Sequence, residues 1–191
     1  MSLNHLLMQR KTAIVKTWFI SAIETYPPDT AKFLKSQKDP FANPVGRTIY
    51  HGLEGLFDEL LKEMDHKSIQ SLLDPIIRIR AIQNFSPPQA TSFIFFLKDA
   101  VRATIEKENP DAILFNELLL YESKIDKLGL MAFDIYMKCR EKIYELKANE
   151  MKNRTYKAFK RAGLVREIPA EQPDLDNNNI CEKASNDIPV L

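Results

Sequence analysis

No proline interrupts the chain between Asp111 and Ile168. Within that stretch Leu114, Leu118, Tyr121, Ile125, Leu128, Ala132, Ile135 and Cys139 alternate by four and three residues. Such spacing keeps one stripe of apolar side chains on one side of an α-helix, where 3.6 residues complete a turn. The stretch therefore reads as helix, with Ile143 and Leu146 extending the apolar face beyond a small phase shift. Gly129 is its weak point, because glycine costs a helix about 1 kcal/mol relative to alanine. One long helix, or two broken near Lys127-Leu128-Gly129, both fit. A continuous helix from Ala112 to Lys147 would run roughly 55 Å, longer than a small domain needs. Part of it is expected to pair with a partner, and Leu114, Leu118, Tyr121, Ile125, Leu128, Ile135 and Cys139 form the predicted seam of a homodimer.

The preceding sequence follows the same period. Leu3, Leu7, Ile14, Trp18 and Ile23 recur at near-helical intervals until Pro27-Pro28 forbids continuation. Asp29 then caps a short helix to Ser36, and the loop Lys38-Asp39-Pro40-Phe41-Ala42-Asn43-Pro44 follows. Asn43-Pro44 reads as a cap with proline at the first helical position, opening a helix whose Val45, Ile49, Leu53, Leu56 and Leu60 form one stripe. Gly52 and Gly55, three apart near that stripe, point to another backbone packed closely against it. Asp65 and Ser68 are caps for the next helix, which Ile76, Ile77, Ile79 and Ile82 carry past Pro75 to Asn84. Ser86-Pro87-Pro88-Gln89 starts a helix to about Glu108, the most apolar of all, and Asn109-Pro110-Asp111 ends it. With 191 residues, 45% of them hydrophobic and only 5 Gly, the chain is large enough for one core without a disulfide or a metal. The fold class expected is all-α, a bundle of about six helices with a long C-terminal helix.

Past Gly163 the periodicity is lost. Residues 1–165 form the predicted helical domain and 166–191 a disordered acidic tail, carrying Glu167, Glu171, Asp174, Asp176, Glu182 and Asp187 against Arg166 and Lys183. Twenty-seven Lys and Arg balance 26 Asp and Glu, so no global charge attracts nucleic acid or an anionic membrane. Cys139 and Cys181 lie far apart, without metal-ligand spacing. Gln9-Arg10-Lys11 interrupts Leu6-Leu7-Met8 before a secretion signal can form, and Phe93–Leu97 is far shorter than the ~20 residues that cross a bilayer. A cytoplasmic protein fits these features.

No catalytic pattern is legible. The sequence holds no GxSxG turn, GxxxxGK[ST] loop or GxGxxG loop. His51, Glu54 and Asp58 share about two turns of one helix, and Glu117, Glu122 and Asp126 could be imagined as an acid/base group; solvated helix charge explains both sets. Cys139, on the seam, suits a small buried apolar position better than a nucleophile. A helix cannot turn Phe93, Phe95 and Phe96 inward equally. Trp18, Phe93, Phe96 and Leu97 are the expected core and the candidate lining of a pocket for a small apolar ligand. Lys152, Arg154, Lys157, Lys160 and Arg161 make the end of the last helix basic, which the helix dipole favours. The alternative that this end supports is a small nucleic-acid-associated regulator, although no base-reading motif accompanies it.

Two stretches carry a family resemblance. Asp39-Pro40-Phe41-Ala42-Asn43-Pro44-Val45-Gly46 followed by Leu53-Glu54-Gly55-Leu56-Phe57, and Ile79-Arg80-Ala81-Ile82-Gln83-Asn84-Phe85-Ser86-Pro87, resemble the N-terminal domain of the RsbR/RsbRD family, the RsbT co-antagonists of bacterial stressosomes. Trp18, in a helix ending at Tyr26-Pro27, also fits. The resemblance spans residues 10 to 145. It implies a non-haem, globin-like sensor domain that dimerises through its terminal helices and feeds a phosphorylatable STAS domain. It implies no enzyme activity, no cofactor and a signalling protein as partner. Haem would need an axial ligand, and none of His5, His51 and His66 falls in or just before the Phe93–Ile105 helix. The 25 or so low-complexity residues after the long helix are too few for another packed domain, so the output is expected to act in trans.

Overall fold

A computed structural model of the chain describes residues 2–36, 43–83, 85–108 and 112–165. Among these residues the structure is helical, with no strand. Seven α-helices run in order: α1 Leu3–Glu24, α2 Pro28–Ser36, α3 Pro44–Leu60, α4 His66–Ile82, α5 Pro87–Thr91, α6 Phe96–Ile105 and α7 Ala112–Arg161. Single 3-10 turns sit at Ser92–Ile94 and Glu106–Glu108. The chain divides into two compact units, one to Leu146 and the other from Lys147. The all-α class and the long final helix expected from the sequence are what the structure shows.

Local chemistry fixes the helix starts. Asn43 Oδ1 accepts the backbone N–H of Gly46 at 2.8 Å, while its Nδ2 donates to the Leu34 carbonyl at 2.9 Å, tying the end of α2 to the start of α3. Asp65 accepts from Ser68 N at 2.8 Å. Gln89 Oε1 accepts from Ser86 N at 3.0 Å, half of a capping box. Asp29 lies within the first turn of α2, with Pro28 as its first helical residue, so it acts on the helix dipole rather than as the cap that the sequence suggested. At the other end of the chain Gly163 adopts φ +70°, and Leu164 N donates back to the Phe159 carbonyl at 3.0 Å.

Helix α3 packs on α4 where the glycine pair predicted a close approach. A Cβ at Gly52 would lie 2.6 Å from Ile76 Cδ1 and 3.2 Å from the Leu72 carbonyl oxygen. Helix α1 crosses α3 and α6, and Trp18, Phe57, Phe93 and Leu97 are fully buried among them.

The helix expected from Ser86 to Glu108 is broken. The indole Nε1 of Trp18 donates to the Phe93 carbonyl at 2.6 Å, taking an acceptor that a continuous helix would give to Leu97 N. The backbone tightens there into 3-10 bonding, with Phe95 N on Ser92 O and Lys98 N on Phe95 O. The break resolves the crowding of three phenylalanines: Phe93 is buried, Phe96 partly buried, and Phe95 turns outward, 41% exposed.

Gly129 does not break α7. The ring of Phe95 sits over it, so close that an added Cβ would lie 2.5 Å from Phe95 Cζ. The glycine leaves a seat for that ring.

Candidate functional site

Two stripes run along α7. The first contains Leu114, Leu118, Tyr121, Ile125, Leu128, Ala132 and Ile135, all buried within one chain. Cys139 is half-buried beside it, and burial raises its thiol pKa above the ordinary value, with Arg78 opposing and Asp74 adding to the shift. The residues proposed as a dimer seam are thus occupied by the core of their own domain. Heptad spacing alone does not say what covers a face, and hydrogen bonds tie α7 to α1, the end of α3, α4 and α6 of the same chain.

The second stripe lies about a third of a turn round the helix. It contains Phe115, Leu119, Leu130, Phe133 and Met137, every one exposed, Leu130 at 72%. Tyr144 continues it, with the Arg140 guanidinium 4.9 Å from its ring centre. Spacing alone gave this face no distinction, because its run is interrupted at Glu122 and Asp126.

Those two carboxylates join a set of polar residues that fasten α7 to the body. Glu122 is buried and pairs with Arg102 of α6. Asp126 pairs with Lys98 at 2.6 Å. Glu117 accepts the backbone N–H of Leu3 at 2.6 Å, and Lys124 donates to the carbonyls of Leu60 and Lys62 at the end of α3. Tyr136 donates to the Phe85 carbonyl and Arg140 to the Ala81 carbonyl. The set Glu117, Glu122 and Asp126, read from the sequence as solvated helix charge, is instead three separate cross-helix anchors. Likewise Asp58 pairs with Lys11 at 2.7 Å while His51 lies 3.7 Å from Glu54, so those three side chains do not converge. No group of metal-ligating side chains occurs among the described residues.

A residue that pattern reading passed over sits between the end of α1 and the start of α5. Arg80 is completely buried. It donates to the Ala22 carbonyl at 2.9 Å and the Gln89 carbonyl at 3.0 Å, and its guanidinium carbon lies 5.0, 5.2 and 4.6 Å from the ring centres of Tyr26, Phe85 and Phe93. Three aromatic faces and the negative end of α1 stand in for a carboxylate. Burial lowers its pKa, opposed by Tyr26. Its Nε has no hydrogen-bond partner, and neither does the buried hydroxyl of Tyr26. Burial pushes the Tyr26 hydroxyl pKa up, with Arg80 opposing. The one signal for this cluster in the sequence is an arginine on the apolar side of α4, flanked by isoleucine and alanine.

Trp18, Phe93 and Leu97 are packed at full burial and Phe96 partly so. Open space lies elsewhere. A cleft of about 570 Å³ is lined by Glu24, Tyr26, Pro28, Ala31, Lys32 and Lys35, and one of about 400 Å³ by Arg102, Phe115, Leu119 and their neighbours. In the second unit Lys152, Arg154, Lys157, Lys160 and Arg161 are exposed. The loop from Lys38 to Ala42, Asn84, Asn109-Pro110-Asp111, Cys181 and the acidic tail lie outside the described residues. No helix among the described residues is long and apolar enough to cross a membrane.

Comparison with known proteins gives these features a context. An uncharacterised protein of Archaeoglobus fulgidus is 30% identical over 100 residues, covering 51% of this chain and 62% of that protein, less than two thirds of its length. No solved structure matches the chain. The RsbT co-antagonist protein RsbRD N-terminal domain matches residues 12–151, from the third turn of α1 into the second unit. That family is one of regulatory, stressosome-type signalling domains. The match takes in α2 to α6, the Arg80 cluster and both stripes of α7, and the chain belongs to the RsbRD N-terminal domain family.

Proposed function

We propose that this chain is a non-catalytic signal-sensing module that forms a homodimer through the exposed stripe of α7 and passes its state to a signalling protein. The observation that carries the reading is the second stripe. Phe115, Leu119, Leu130, Phe133 and Met137 are exposed on one side of a helix whose other apolar stripe is already buried. Apolar side chains aligned over several turns mark an interaction surface more strongly than scattered ones do. A second copy, presenting the same stripe, supplies a self-complementary partner. The cross-helix anchors support a signalling role, because they couple movements of α7 to α1, α3, α4 and α6.

Sedimentation equilibrium of the full chain at micromolar concentration tests the first step. The expected result is a dimer mass. A monomer mass across that range would remove the stripe's assigned partner.

A further inference from the structure

From the homodimer reading above, on which the step depends, we infer that Phe95, the N-cap residue of α6, belongs to the dimer surface and that residue 129 of α7 is glycine so as to seat its ring. Gly129 is the one glycine among the 50 residues of α7. In a helix interior glycine costs about 1 kcal/mol relative to alanine. At Gly52 the fold itself requires it, because an added Cβ would meet the Ile76 side chain and the Leu72 carbonyl oxygen. At Gly129 the three atoms nearest an added Cβ, at 2.5, 3.1 and 3.2 Å, all belong to the half-exposed ring of Phe95. Such a ring can swing into solvent and make room for alanine, so packing within the chain does not demand the glycine. What the glycine provides is a phenyl ring held down on α7.

The position of that ring connects it to the exposed stripe. Three side chains along one edge of α6 meet three positions of α7 running the other way: Phe95 lies on Gly129, Lys98 pairs with Asp126 at 2.6 Å, and Arg102 pairs with Glu122. The Lys98 ammonium also stands 5.9 Å from the centre of the Phe95 ring. Leu130 follows Gly129 directly and Phe133 lies four residues on, the spacing of neighbours on a helix surface; both are exposed. Phe95 therefore widens the Leu130, Phe133 and Met137 end of the stripe from one helix to two. Charge favours a second copy as what covers it. Lys98 cancels Asp126 and Arg102 cancels Glu122 along this edge, so two identical surfaces meet without like-charge repulsion, whereas a strongly charged partner finds nothing to complement. Aromatic side chains are enriched in the buried centre of such interfaces.

Two measurements on the full chain test this together: the dimer dissociation constant from a dilution series in the analytical ultracentrifuge, and the urea unfolding midpoint at a concentration where every variant is monomeric. Phe95→Ser is expected to raise the dissociation constant by about tenfold or more. Gly129→Ala should raise it by a similar factor while the monomer's midpoint stays unchanged or rises, a combination that a purely structural glycine would not give. Leu120→Ser, at an exposed apolar position of α7 outside the stripe, should leave the dissociation constant within about twofold of the wild type. Wild-type affinity in Phe95→Ser would overturn the added surface. Wild-type affinity in Gly129→Ala, or a lowered midpoint for its monomer, would overturn the seat. A wild-type chain that stays monomeric throughout removes the homodimer and the added surface with it, whereas a wild-type dimer indifferent to both changes removes only the part assigned to Phe95 and Gly129.

Discussion

Arg80 shows how a single side chain can hold several elements without an ion pair. Its guanidinium reaches the carbonyls of Ala22 and Gln89 at once and lies against three rings. Lysine offers a compact ammonium that cannot span both acceptors or stack on the rings. Arg80→Lys is therefore expected to lower unfolding stability by roughly 2–4 kcal/mol, because the buried cation keeps fewer hydrogen bonds and loses its contact with the rings. Urea denaturation measures this, and a loss under about 0.5 kcal/mol, the level of an ordinary surface substitution, would contradict it. Cys139 offers a milder test. Its raised pKa keeps it protonated at neutral pH, so iodoacetamide should alkylate it more slowly than a free model thiol in the same buffer. The difference should persist as pH rises through the range in which the free thiol ionises, and shrink once Cys139 itself ionises at higher pH. Cys181→Ser isolates the measurement.

At the scale of the element, glycine positions separate packing from propensity. Gly52→Ala would push a methyl group towards fully buried Ile76 and the Leu72 carbonyl, neither of which has room to yield. A cost of about 1–3 kcal/mol is expected. Gly129→Ala instead meets the far edge of the Phe95 ring, which is partly in solvent and can swing away. There the helix gains about 1 kcal/mol of propensity, so the change should be near neutral or stabilising. Parallel denaturation of the two variants checks the contrast.

Elements also show what was legible beforehand. The caps Asn43 and Asp65 were readable, because a cap acts on backbone groups a few residues away. The Gly52–Gly55 contact was readable for a similar reason: only close packing repays two glycines in one helix. The break at Ser92–Ile94 was not. It depends on the Trp18 indole, 75 residues earlier in the chain, and no local spacing carries that bond. Arg80 was hidden in the same way, since its acceptors and rings come from two stretches outside its own helix, residues 22–26 and 85–93.

At the scale of the whole molecule the central question is which face of α7 serves which purpose. Heptad periodicity located a buried stripe in the sequence and could not say what buries it, because a partner helix and the chain's own body impose the same spacing. The structure gives Leu114, Leu118, Ile125 and Leu128 to the body and leaves Phe115, Leu119, Leu130, Phe133 and Met137 uncovered. The two assignments predict opposite phenotypes. Leu128→Asp buries a charge in a packed core and should unfold the chain or cost several kcal/mol. Phe133→Asp with Met137→Asp places charge on an exposed face, so the helical signal should remain while association is lost.

Light scattering combined with far-ultraviolet circular dichroism on the Phe133→Asp/Met137→Asp variant tests the account most directly. A folded monomer, beside a dimeric wild type, is the predicted result. A variant that keeps the dimer mass with the fold intact would contradict it.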